Sequence, residues 1–431
     1  MDKYVVINEA PVCFAETDVL VCGAGPAGIG AALRAGRMGA KVTILEMGGC
    51  LGGIATAGMM SNWGGRSSSK ILQELMERSR EFDLGYTWID ENEPTITAIP
   101  HDLQMIVLEE MMKEVGVEIL YYTMATRAVM DGDRIVGVVV QNKTGEGMIR
   151  AKCVIDATGD GDIAASAGVP YFKGRESDGK MQPCTIMFKV GGVDYEKAVF
   201  PKGFESLVET EKGELQALAK ELLPFPAGHV LLYRQPEPGT VCVNMTNAIG
   251  IDGTNAQSIT EGVLTCRSQI MPIIRFLREY VPGYEKCWLM SSASLIGIRE
   301  TRHFQGLASL QPEDILEARV FPDWVVRRAW FNFDVHNMTG ASLDKTGCQK
   351  NYKQKKDYSI PYGCLLPKNV EGLLLSGRNI SGSHLAHSNF RIMSVCMALG
   401  EAAGAAATIS VQEGRLLRDV DVAKIQAEVG E

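Results

Sequence analysis

The side chains with the clearest acid–base and anion-binding chemistry fall in three stretches of the chain. Arg299, Arg302 and His303 stand in GIRETRH, His336 follows the aromatic run FPDWVVRRAWFNFDV, and His384 stands in SGRNISGSHLAHSNFR. Imidazole exchanges protons near neutral pH, and a guanidinium offers a planar pair of donors that matches a carboxylate. These types suit a site that takes a proton from a small polar molecule and holds its carboxylate. Each also has a structural use: Arg299, Glu300 and Arg302 would equally make a buried ion-pair network between domains. His384 is the favoured base, because its polar segment lies between the apolar strand Leu373 to Ser376 and a small-residue helix from Met393 to Ala407. A metal is not expected. The six histidines are scattered, His384 and His387 lack H-E-x-x-H spacing, and the eleven cysteines contain no C-x-x-C.

The elements that must position these groups begin with a phosphate-binding turn. Asp18 to Cys22 reads DVLVC, a short buried strand, and runs into GAGPAGIGAALRAGRMGA. Gly23 permits the tight turn, Gly25 lets backbone approach a pyrophosphate, and Gly28 lets the following helix lie close to the sheet. The free N–H groups of that helix face the phosphates. A second strand, Lys41 to Leu45, ends at Glu46, 18 residues beyond Gly28. That carboxylate can accept both hydroxyls of an adenosine ribose and would repel a 2′-phosphate, which disfavours NADP. Strand, turn, helix, strand and terminal acid together indicate an adenine dinucleotide. The glycine-dense loop Gly48 to Thr56 suits close passage of backbone around a cofactor as large as FAD.

Further along, residues 102–115 have helical apolar spacing, and a hairpin turns at Asp131-Gly132-Asp133. AKCVIDAT is another buried strand, after which Asp160 or Asp162 could cap a helix. Residues 1–170 therefore read as the first part of an α/β, Rossmann-like FAD-binding domain, 171–355 as an inserted α+β substrate or cap domain, and 356–431 as the returning C-terminal part. A hydrophobic share of 46% over 431 residues supplies ample core, and the formal charge of −9 comes with no basic stripe for nucleic acid. An odd number of widely spaced cysteines argues against a disulfide framework, and Cys50 has no second cysteine before Cys153, against a disulfide reductase. The N-terminus lacks a signal-peptide pattern, and no stretch has the roughly 20 uninterrupted apolar residues of a membrane span. A reduced cytoplasmic protein is expected, with monomer and homo-oligomer both open.

The stretches ETDVLVCGAGPAGIGAALRAGRMGAKVTILE, GGCLGGIATAG, KCVIDATGDGDIAASAG, IGIRETRHFQG, IPYGCLLP and LLLSGRNISGSHLAHSNFRIMSVCMALGEAAG span nearly the whole chain. Together they resemble the FAD-dependent oxidoreductases of bacteria and archaea whose cofactor domain is related to glutathione reductase and succinate dehydrogenase flavoproteins. The resemblance implies that Gly23, Gly25, Pro26, Ala27 and Gly28 hold the pyrophosphate and Glu46, with Met47, the adenosine ribose. It implies that Gly52, Gly53, Ala55 and Thr56 pass along the cofactor, that Ala125 offers backbone to the adenine, and that Thr158, Gly159 and Asp160 lie near it. Gly377, Arg378 and the segment through Ser388 to Arg391 would close over the isoalloxazine, with the Met393 helix aimed at its pyrimidine end. One position departs from the pattern: Gly363 stands where the family usually has arginine. The implied activity is an FAD-dependent dehydrogenase or reductase acting on a small polar substrate by hydride transfer, with an electron acceptor the sequence does not identify. An FAD-carrying electron-transfer subunit of a larger complex stays open beside it.

Overall fold

Short apolar runs separated by glycine turns build a parallel sheet that the two ends of the chain share. The computed structural model describes residues 12–82, 88–89, 97–201, 203, 206–344 and 352–430. Strand β1 (Cys13–Cys22) pairs in parallel with β2 (Val42–Leu45) on one side and with Gly145–Asp156 on the other. Glu118–Leu120 extends the sheet beyond β2, and Arg134–Asn142 with Met124–Asp131 forms an antiparallel flap beyond Gly145–Asp156. The long strand Gly145–Asp156 changes partners along its length. Residues 145–150 pair with the flap, whereas Val154 to Asp156 pair in parallel with Leu373–Leu375, the strand that returns near the C-terminus.

Helix α1 (Pro26–Arg37) crosses this sheet and packs against the Met393–Glu413 helix, backbone on backbone. Small residues are required there. A Cβ on Gly400 would lie 1.9 Å from the Ala27 carbonyl oxygen, and one on Gly404 would lie 2.3 Å from that of Ala31. The small-residue helix thus serves helix packing along most of its length and approaches the cofactor site only at its N-terminal end. It is long and apolar enough to cross a membrane, yet 94% of its most apolar window is buried in the fold. We expect Gly400→Val to destabilise the protein by about 3 kcal/mol or more, because rigid backbone cannot relax away from the new side chain. Chemical denaturation compared with wild type checks this.

A second sheet, antiparallel, runs in the order Leu232–Arg234, Val241–Val243, Phe188–Gly191, Trp288–Ser292. The Ala256–Tyr280 helix, capped by the Asn255 side chain on the Ser258 N–H, packs on it through Ile270, Ile273, Ile274 and Leu277. This unit has its own core, drawn from Phe188 to Cys287. By contrast Phe304, Ile315, Val326 and Phe333 bury in the core of the first sheet. Two small ladders carry the chain back: Tyr171–Lys173 with Arg302–Phe304, and Trp324–Ala329 with Tyr358–Pro361. The ten described cysteines are all free, and eight of them are buried as small core residues. Cys348 lies outside the described residues.

Candidate active site

The carboxyl ends of the first sheet and the inner face of the second enclose a cavity of ≈ 1090 Å³. That is just above the ~300–1,000 Å³ range of ordinary small-molecule sites. The glycine turn explains one wall. Gly23 has φ +96°, and a Cβ there would lie 2.5 Å from the Ala157 carbonyl oxygen. A Cβ on Gly28 would meet the Gly23 carbonyl oxygen at 1.8 Å, so Gly28 sets helix packing rather than lining the cavity. Gly25 differs from both. Its φ of −73° suits any residue, and a Cβ there would meet nothing within 4 Å. Its lack of a side chain leaves cavity space open where the helix begins, which fits a pyrophosphate.

Glu46 ends β2 on the cavity wall, where Oε2 accepts the Ala24 N–H at 3.1 Å and Oε1 the Gly48 N–H at 2.7 Å. These bonds fix the carboxylate beside Met47 and Ala125, which also line the cavity. We expect Glu46→Ala to lower FAD retention without unfolding the chain. Each charge-assisted hydrogen bond to a ribose hydroxyl contributes about 1.5–3 kcal/mol. The FAD-to-protein ratio after gel filtration reads the effect.

Pro26, Ala27, Gly53, Thr158, Gly159, Asp160, Gly377, Arg378, Arg391 and Met393 line the cavity, as the sequence leads one to expect. Gly52, Ala55, Thr56 and Ser388 do not. The Gly52 N–H donates to the Ala24 carbonyl at 2.9 Å and the Thr56 hydroxyl to that of Leu51 at 2.6 Å, so both shape the loop from behind. Ala55 is wholly buried, and Ser388 bonds within its own helix to the Leu385 carbonyl. The helix after the third sheet strand spans Asp162–Ser166, and neither Asp160 nor Asp162 caps it. Buried Asp156 does so, accepting the Ala164 N–H at 2.7 Å, while Asp160 accepts from Arg378 at 2.7 Å and from the Thr301 hydroxyl at 2.6 Å. The Met393–Glu413 helix opens on the cavity with no side-chain cap, leaving its first N–H groups for a ligand.

The opposite wall carries the titratable groups. Arg299, Asp334, His336 and Arg391 line it with Tyr233, Asn244 and Phe331. The Arg391 guanidinium donates to the Asp334 carboxylate at 2.9 Å, and His336 Nε2 lies 3.1 Å from the same carboxylate oxygen. Arg299 donates to the Pro183 carbonyl at 2.6 Å and makes no pair with Glu300. Burial pushes the Arg299 guanidinium down to about 10, helped by Arg391 and opposed by Asp334. It nonetheless stays cationic at neutral pH. Burial and then Arg299 push His336 down to about 4, against the pull of Asp334. Burial raises Asp334, but His336, Arg391 and Arg299 outweigh it and hold the carboxyl well below its usual range. An anionic Asp334 can only accept, so Nε2 of neutral His336 carries the proton and Nδ1 is its basic atom.

The structure separates the other expected catalytic groups from this cluster. His384 is buried but absent from the cavity wall; its Nδ1 meets Glu300 Oε1 at 2.6 Å and its N–H donates to Glu176. The expectation that its segment passes along the cavity holds for Arg378 and Arg391, at either end, because Ser383 caps a helix, His384–Phe390, that turns His384 inward. Arg302 lines the cavity with its guanidinium bound to the Asp160 carbonyl and the Asp162 carboxylate, each at 2.8 Å. Gly363, where the family pattern has arginine, packs against Leu307 and Ala308 and does not line the cavity. Sequence reasoning missed Asp334, Tyr233 and Asn244. The D-x-H spacing in FNFDVHN was the available signal for Asp334; the other two come from strands with no local mark.

Comparison with known proteins bears on the fold and the cofactor. The family model described as FAD dependent oxidoreductase matches residues 18–429. A thiamine thiazole synthase of Aeropyrum pernix is 32% identical over 157 residues, 33% of this chain and 54% of that protein. A digeranylgeranylglycerophospholipid reductase of Methanopyrus kandleri is 30% identical over 200 residues, 42% and 46% respectively. The chain thus spans about half the length of these curated relatives. Among solved structures, a geranylgeranyl bacteriochlorophyll reductase-like protein from Thermoplasma acidophilum superposes with a TM-score of 0.51 at 14% identity, covering 96% of this chain and 82% of that one. A p-nitrophenol 4-monooxygenase from Pseudomonas putida gives 0.51 at 11% identity, covering 96% and 84%. At such identities the likeness is one of fold. With the family model matching from β1 through the C-terminal helices, and a glycine turn and Glu46 that fit the cofactor, the chain belongs to the FAD-dependent oxidoreductases, enzymes that bind FAD.

Proposed function

We propose that the protein is a flavin dehydrogenase or reductase that moves a hydride between flavin and a small polar organic molecule bearing an acidic group. The observation that carries this reading is the cluster of buried His336 with half-buried Arg299, Asp334 and Arg391 on the lining of the same cavity as the glycine turn. FAD, when bound, supplies the two-electron acceptor or donor. Arg299, whose guanidinium donates to the Pro183 carbonyl, binds the substrate's anionic group. His336 Nδ1 takes or returns the proton of the reacting C–H neighbour's hydroxyl or amine, and Asp334 holds the ring by Nε2. Met187, Leu231 and Phe331 exclude water from the same wall. A subunit that only relays electrons has no use for a buried base and a half-buried cation on one cavity lining, which favours the enzyme reading over the carrier. The test is anaerobic mixing of the flavinated protein with a panel of hydroxy acids, amino acids and their esters. Acids that bleach the flavin while their neutral esters do not support the reading; bleaching by esters and acids alike overturns the anionic substrate.

The buried histidines also set a stability profile. His229, whose Nε2 faces the Asn244 carbonyl, is pushed by burial, then by His336 and Arg299, down to about 3. His229 and His336 are neutral in the folded chain but take up protons near pH 6.5 when unfolded. The unfolded state therefore binds more protons between about pH 6.5 and 4, so stability falls as pH drops through that window and is flat above it. Denaturant midpoints at pH 7.5, 6 and 5 check the sign, and His229→Gln should flatten the slope.

A further inference from the structure

Behind the wall that carries Arg299, the chain buries a second group of titratable side chains that the proposed reaction does not use. Glu300, His303, His384 and His387 are 1%, 1%, 3% and 1% exposed, and none of them lines the cavity. His303 comes from the Arg302–Phe304 strand, while His384 and His387 come from one face of the His384–Phe390 helix. Glu300 Oε1 meets His303 Nε2 at 2.8 Å and His384 Nδ1 at 2.6 Å. One ligand atom each from Glu300, His303 and His387 lies within 4.8 Å of the other two. The rings of His303 and His387 meet edge to face, with centroids 4.9 Å apart.

Hydrogen bonding within the group leaves it incomplete. Nδ1 of His303 and Nδ1 of His387 are both buried with no partner. A neutral imidazole placed this way strands either a donor or an acceptor, which folded proteins rarely tolerate. Three imidazoles and one carboxylate in a dry pocket are instead the donor set of a borderline transition-metal ion.

We propose that Glu300, His303 and His387, with His384 as fourth donor, hold one divalent ion of the zinc type. Four protein donors and no opening make this a closed, structural site rather than a catalytic one. Tetrahedral donors at about 2.0–2.2 Å from zinc stand roughly 3.4 Å apart. A neutral imidazole that turns to the metal the nitrogen it now turns to Glu300 carries its proton on the other ring nitrogen. The ion would pin the strand that follows Arg299 to the helix that leads into Arg391. Glu300 Oε2 accepts the Gln182 N–H at 3.1 Å, and the Gln182 side-chain oxygen accepts the His336 N–H at 3.1 Å. The pinned carboxylate is thereby one residue removed from the His336 backbone.

The test uses the full-length flavoprotein, stripped with a chelator and dialysed against zinc or cobalt chloride. Elemental mass spectrometry should find about one ion per chain, and the melting temperature should rise with zinc while FAD content stays constant. In the His303→Gln/His387→Gln double variant the ion and the zinc response should both be lost. Should that variant fail to fold, the cobalt-minus-zinc difference spectrum of wild type decides. Intense visible d–d bands support a tetrahedral site, and their absence overturns it. Substoichiometric metal in wild type refolded with zinc, or metal kept by the double variant, would equally overturn the proposal.

Discussion

Flavin reduction by substrate should slow by about 10²–10⁴-fold in the His336→Gln protein, with FAD content unchanged, when followed by anaerobic stopped flow. Glutamine preserves polarity and can still bond to Asp334, so the loss isolates the proton transfer. The pH dependence should follow the same group. With His336 held near 4, wild-type reduction should be flat from about pH 6 to 8 and fall as the pH approaches 4, where the base becomes protonated. Asp334→Asn should also be slow. Its amide can donate to Nε2 and so favour the tautomer with Nδ1 protonated, which is the wrong one for a base. His384→Gln should behave differently, because His384 faces Glu300 and not the cavity. Its effect should fall on stability. A His336→Gln rate within about threefold of wild type, on the scale of the 10²–10⁴-fold effect expected of a base, would remove His336 from that role.

Gly25→Val should yield a folded chain that does not retain FAD. The backbone there is extended and a Cβ meets nothing within 4 Å, so the apoprotein has no reason to lose stability. The new methyl groups instead occupy the space where the first N–H groups of α1 face the cavity. Overpacking of about 1–3 kcal/mol or more against a rigid pyrophosphate corresponds to a loss of affinity of about 5- to 150-fold or greater. Gly28→Ala provides the contrast. Its Cβ would stand 1.8 Å from the Gly23 carbonyl oxygen, so the turn itself must distort and the apoprotein should unfold earlier. Flavin content and apoprotein denaturation, measured on both variants, separate the two roles of a single motif. Equal unfolding of both would contradict this division.

The cofactor half of the molecule was legible because its determinants are local. Gly23, Gly25 and Gly28 act within one turn, Glu46 ends the adjacent strand, and the helix of small residues is a run of neighbours in sequence. Their spacing alone fixes backbone conformations, close approach and the position of one charge at a strand end, and this is why FAD and the Rossmann-like sheet follow from it. In the glycine-dense loop Gly53 lines the cavity, whereas Gly52, Ala55 and Thr56 do not, and their contacts with the chain behind them carry no mark in sequence.

The cavity wall that carries Arg299, Asp334, His336 and Arg391 was not legible in the same way. His384 and His336 are equally plausible bases as residue types, and what separates them is which side of a buried layer each one meets. A single hydroxyl, that of Ser383 on the Ala386 N–H, starts the helix that turns His384 away from the cavity toward Glu300. Asp334, Arg299 and Arg391 stand 35 to 92 residues apart in pairs and converge only after the chain has crossed both sheets. Likewise Glu300 and His303 meet His384 and His387 across some eighty residues of chain. Local spacing determined the turn, the ribose acid and the cofactor. Which imidazole faces the cavity, which ones face one another, and where a depressed proton affinity arises were decided by burial, and burial belongs to the packed fold.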